Sequence, residues 1–154
     1  MSGGVSNVRF IDSVISDAEG SGTYILRVKS KAGRGGFVRD IHTENVHAAV
    51  LATNGRPAFA FSVNAEYCCV SDPHGPVADF SNFTFRNVSA GAAEYAGEFR
   101  GGNSTHRLRG ISMSDVRIAG TKGGWRCSNV DGAATLVTDT LPAMDAKSGC
   151  TATV

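Results

Sequence analysis

Arg27 and Lys29 stand two residues apart in the segment Ile25-Leu26-Arg27-Val28-Lys29-Ser30. In an extended strand, residues two apart share a face, so the two cations project together. Arginine grips a carboxylate with a planar fork, and lysine adds a compact charge. The pair is therefore a candidate clamp for an anionic ligand. Lys31-Ala32-Gly33-Arg34-Gly35-Gly36 follows at once, and its glycines let the chain turn without a Cβ penalty. Between Arg27 and Arg39 there are five cations and no acid.

The whole chain carries 15 basic and 14 acidic residues, a net charge of +1. That balance argues against a nucleic-acid binder, which carries a broad basic excess. Cys68 and Cys69 are adjacent, which is not a metal-ligand spacing, and no His/Cys cluster accompanies the four cysteines. No metal and no cofactor are expected. His42, His47, His74 and His106 are scattered, without a paired acid or nucleophile in a readable motif. No window reaches the roughly 18 apolar residues of a membrane span, so no membrane partner is expected. The start, Met1-Ser2-Gly3-Gly4, lacks the basic and apolar regions of a signal peptide. Asn82, Asn87 and Asn103 each open a glycosylation sequon, a hint of secretion.

The elements that must position Arg27 and Lys29 show in a degenerate repeat. Val5-Ser-Asn7-Val8-Arg-Phe10-Ile-Asp12 is one copy. Val38-Arg-Asp40-Ile41-His-Thr43-Glu-Asn45-Val46, Phe80-Ser-Asn82-Phe83-Thr-Phe85-Arg-Asn87-Val88 and Leu108-Arg-Gly110-Ile111-Ser-Met113-Ser-Asp115-Val116 are the others. Their starts are 33, 42 and 28 residues apart. Further strand-like pieces run from Thr23 to Ser30, Ala58 to Val63 and Tyr95 to Arg100. Helical periodicity is absent over any long window. Short alternating strands, a repeat of this length and 19 glycines suggest a β-solenoid forming one domain over residues 1–154. The recurring Asn and Asp are expected to serve corners or to ladder along the stack. A β-sandwich is the competing reading, because its strands also recur with turns.

The motif Arg27-Val28-Lys29-Ser30 with its Gly-Arg-Gly-Gly continuation resembles the polygalacturonases of glycoside hydrolase family 28, plant-type members in particular. Their strand motif reads Arg-Ile-Lys followed by Ser or Thr. The opening Gly3-Gly4-Val5-Ser6-Asn7-Val8 and the tail Gly124-Trp125-Arg126-Cys127-Ser128-Asn129-Val130-Asp131-Gly132 resemble the same family. The resemblance implies an all-β fold, a right-handed parallel β-helix, here partial. It implies hydrolysis of α-1,4-galacturonosidic bonds in pectin, with Arg27, Lys29 and Tyr67 contacting substrate. It also implies a Cys127–Cys150 disulfide, an anionic polysaccharide (galacturonan) as partner, and a secreted or cell-wall parent enzyme.

One departure matters. The family inverts the anomeric centre with one acid on the leaving oxygen and carboxylates that activate water. Those aspartates sit in Asn-Thr-Asp and Asp-Asp motifs, with a histidine in Gly-His-Gly, and none of the three occurs in this sequence. His74-Gly75 lies in a proline-bounded turn and is not that histidine, and Asp12 and Asp40 fall on the repeat's corner position. The chain is accordingly expected to be a C-terminal portion lacking the catalytic aspartates, with Met1 an internal methionine, a misplaced start or a true truncated start. Asp17, Glu19 and Glu66 are the acids left to replace them. The alternative is a non-catalytic pectin-binding or interaction β-helix module. In either case the first coil is expected to expose an unpaired edge and to favour self-association.

Overall fold

The computed structural model describes residues 3–16, 24–51, 58–67, 72, 74–119, 122–131, 135–144 and 149–150. Nine strands lie among them: β1 (Gly4–Ile15), β2 (Leu26–Lys29), β3 (Phe37–Ala48), β4 (Phe59–Asn64), β5 (Asp79–Ala90), β6 (Tyr95–Arg100), β7 (Arg109–Ile118), β8 (Gly123–Ser128) and β9 (Thr135–Leu141). The described residues contain no helix. Consecutive strands alternate between two sheets, ordered β1-β3-β5-β7-β9 and β2-β4-β6-β8. Every named strand pair is parallel. Each odd-even pair is one coil, stacked on the next: a partial parallel β-helix, not a sandwich of antiparallel strands.

The four repeat copies fall on β1, β3, β5 and β7. Each polar corner position adopts the left-handed backbone, at Asn7, Asp12, Asp40, Asn45, Asn82, Asn87, Gly110 and Asp115. Glycine adopts that region freely, and Asn and Asp do so more readily than other residues. These residues bend each long strand twice. The pairing skips a step there, so that Ser6 faces Arg39 and Val8 faces Ile41. The corner side chains also form ladders between coils. Asn87 Nδ2 donates to Asn45 Oδ1 at 2.9 Å, and Asn45 Nδ2 donates to Asp12 Oδ1 at 2.8 Å. In the second ladder, Asn82 Nδ2 donates to Asp40 Oδ1 at 2.9 Å.

Inward positions stack into apolar columns. Ile41, Phe83 and Ile111 form one, and Val46, Val88 and Val116 another; all six are buried. Like residues thus bury one another in successive coils, and apolar burial drives the stacking. Thr43 is the exception: it is fully buried in register with Phe10 and Phe85, and its Oγ1 makes no hydrogen bond among the described residues. At β1, Val8 heads the Ile41 column and Val5 that of Val38 and Phe80, but they are 40% and 49% exposed.

The observed strands also differ from the sequence reading in places. β2 begins at Leu26, and Ile25 is buried although it has the parity of exposed Arg27. The chain therefore turns into the strand at Leu26. The repeat does not reach β8 and β9: β8 opens on two glycines before Trp125 and Arg126 alternate, and β9, rich in β-branched residues, lies beyond the last copy.

Candidate functional site

β2 places Arg27 and Lys29 on its outward face, both exposed, with Val28 turned toward the core. The register fixes their neighbours. Arg27 stands beside Ser62, which stands beside Glu98, which stands beside Arg126. Lys29, Asn64, Arg100 and Ser128 form the parallel column.

Tyr67 reaches this face from the next coil, just beyond β4. Its backbone N–H donates to the Ser30 carbonyl at 2.8 Å. Its ring supports both cations: Arg27 Cζ and Lys29 Nζ each lie 4.8 Å from the ring centroid. Tyr24 contacts the guanidinium as well, at 4.7 Å. A cation over an aromatic face is held by the ring quadrupole. Among the described residues, neither Arg27 nor Lys29 forms an ion pair. By contrast, Arg39, Arg86, Arg100 and Arg117 pair with Asp40, Glu44, Glu66 and Asp115. The two cations thus share one tyrosine ring, with no acid partner among the described residues.

The glycine-rich run beside the clamp has a positional reason. Gly33 and Gly35 both donate their N–H to the Pro76 carbonyl at 3.0 Å. A Cβ on Gly75 would meet Gly33 Cα at 2.7 Å. Backbone packed on backbone anchors the run against the turn at His74, whose N–H donates to Asp72 Oδ1 at 3.0 Å. His74 is thereby a turn residue. An open cleft of about 430 Å³ lies alongside, lined by Gly3, Gly4, Lys29, Ser30, Arg34 and Phe37 among others.

Acids near the clamp are engaged. Glu98 Oε1 accepts from Ser62 Oγ at 3.0 Å and from Asn64 Nδ2 at 3.1 Å. Glu66 is paired with Arg100 at 3.4 Å. Asp17, Glu19, Cys68 and Cys69 lie outside the described residues. No group of three or more metal-ligating side chains occurs among the described residues.

At the far end, Cys127 and Cys150 form a disulfide with Cα atoms 4.9 Å apart. Trp125 is buried against Phe61 and Phe99. The sequons are placed differently from one another. Asn82 and Asn87 use their side-chain nitrogens in the corner ladders. Asn103 uses its side-chain oxygen, which accepts from the N–H groups of Thr105 and His106. The feature that sequence reading missed is the cation–aromatic stack at Arg126, which lies 3.9 Å from the Tyr95 centroid and 5.7 Å from that of Phe59. Only the coil register brings these three together.

Comparison with known proteins adds three findings. The family model described as glycosyl hydrolases family 28 matches residues 2–138. A probable polygalacturonase of Vitis vinifera is 29% identical over 147 residues, covering 91% of this chain and 28% of that protein. No solved structure matches the chain.

Proposed function

The chain belongs to glycosyl hydrolases family 28, and we propose that it supplies the uronate-positioning part of a polygalacturonase-like enzyme. Arg27 and Lys29 take the carboxylate of a galacturonate unit, and Tyr67 holds both cations in place. The observation that carries this reading is the pair of exposed cations on one tyrosine ring, with no acid partner among the described residues. The grapevine relative named a probable polygalacturonase supports the same substrate class. The chain spans 28% of that relative's length, so hydrolysis belongs to the reading of a longer protein. The sequence holds none of the three catalytic motifs, and Glu66 and Glu98 are engaged in polar contacts. A disulfide favours an oxidising setting, which fits action on pectin outside the cell.

The test is binding and turnover by the purified chain. Oligogalacturonate should bind, and the affinity should fall as salt rises, because exposed charges are screened. An Arg27→Ala, Lys29→Ala variant should lose about tenfold or more, since hydrogen bonds to charged groups contribute roughly 1.5–3 kcal/mol. No reducing ends should appear. Binding that ignores this double substitution overturns the clamp. Turnover abolished by it overturns the positioning-only role and turns attention to Asp17, Glu19 and Glu66.

A further inference from the structure

Three cations among the described residues stack on aromatic rings without an acid partner: Arg27, Lys29 and Arg126. Arg39 also stacks, on Phe37, but Asp40 neutralises it. All three unpaired cations lie on the outward face of the β2-β4-β6-β8 sheet. Arg126 shares the column of Arg27, three strand steps along the solenoid axis. At 4.7–4.9 Å per step that is about 14 Å. Its guanidinium rests on Tyr95, which itself stacks on Phe59 with centroids 5.0 Å apart. The construction repeats the one at Arg27, where an exposed guanidinium lies on tyrosine rings.

We infer that Arg126, seated on Tyr95 and Phe59, is a second carboxylate subsite, and that the sheet face engages a polyuronate chain at two separated points. This rests on the reading of Arg27 and Lys29 as a uronate clamp. The residues between explain the separation. Glu98 stands between Ser62 and Arg126 in the column, bonded to Ser62 and Asn64. Its charge repels a carboxylate placed at the middle, so bound carboxylates fall at the two ends. The two backbone positions are three strands apart, so the proposal predicts that an oligomer engages both while a short ligand engages the clamp alone. Buried Trp125 and disulfide-bonded Cys127 flank Arg126 in sequence and fix its strand.

The experiment compares digalacturonate with hexagalacturonate on the purified chain by calorimetry. The unsubstituted chain should bind the hexamer more tightly. Arg126→Ala should remove that gain, on the order of tenfold for a lost charge-assisted contact, and leave the dimer's affinity unchanged. Arg27→Ala should weaken both ligands. Arg126→Lys, which keeps the charge and loses the fork, should fall between the parent and the alanine variant. Melting curves of the variants, matched to the parent, separate a binding loss from a folding loss. Equal hexamer affinity in parent and Arg126→Ala overturns the subsite, as does an equal loss for both ligands. Arg27-dependent dimer binding without a length effect overturns the subsite and leaves the clamp standing. Absence of all binding overturns both.

Discussion

The indole of Trp125 lies against Gly97: a Cβ at position 97 would meet Trp125 Cζ3 at 2.7 Å. Gly97 stands between Phe61 and Trp125 in the register. The gap it leaves lets the indole stack on Phe61 at 5.9 Å and on Phe99 at 5.7 Å. The indole nitrogen donates to the Pro142 carbonyl at 2.7 Å. This packed centre sits directly beneath the face that carries Arg126.

Gly97→Ala should therefore destabilise the chain by about 1–3 kcal/mol, the usual cost of overpacking a filled core. Urea unfolding measures it as a lower midpoint at an unchanged slope. An unchanged midpoint would mean that the indole has room to move.

Asn45 is the middle rung of a ladder, donating to Asp12 and accepting from Asn87, and it sits at φ 54°. Asn45→Gly should lose the ladder bonds but keep the backbone unstrained. Asn45→Ala should lose the same bonds and also carry about 1–2 kcal/mol of left-handed strain. Thermal melts should rank the parent above glycine and glycine above alanine. A reversed order of the two variants would remove backbone conformation as the reason for asparagine at this corner.

Thr43→Val should stabilise the chain by about 1 kcal/mol. The hydroxyl is buried without a partner among the described residues, and an unsatisfied buried polar group costs roughly 1–3 kcal/mol. Valine keeps the β-branched shape between Phe10 and Phe85. A lower midpoint in denaturant would show that the hydroxyl is satisfied in solution.

β1 forms the edge of its sheet, with apolar Val5 and Val8 half exposed. Unpaired strand edges recruit other strands. Sedimentation velocity should find the purified chain associated at raised concentration, and Val8→Lys should shift it toward monomer. A parent chain that stays monomeric across that range would refute this expectation.

The fold was legible because the solenoid writes its constraints locally. A left-handed corner admits few residue types, so Asn7, Asp40, Asn82 and Gly110 mark equivalent corners on four strands whatever the loop lengths between them. Alternation likewise puts Arg27 and Lys29 on one face from their spacing alone. Resemblance to polygalacturonases paired Cys127 with Cys150, and backbone spacing could not have done so. What lay beyond the sequence is everything set by stacking register. The resemblance grouped Tyr67 with the two cations, and the register seats its ring against both. Arg126 joins the column of Arg27 through Ser62 and Glu98, and Gly97 opens the gap that Trp125 fills. β8 and β9 have strand-forming residues, but the columns they join are set by the edges that β6 and β7 offer. Coil lengths vary, so the column that a residue joins depends on how much chain each loop takes up. That is a non-local quantity, fixed only when the apolar columns pack in register.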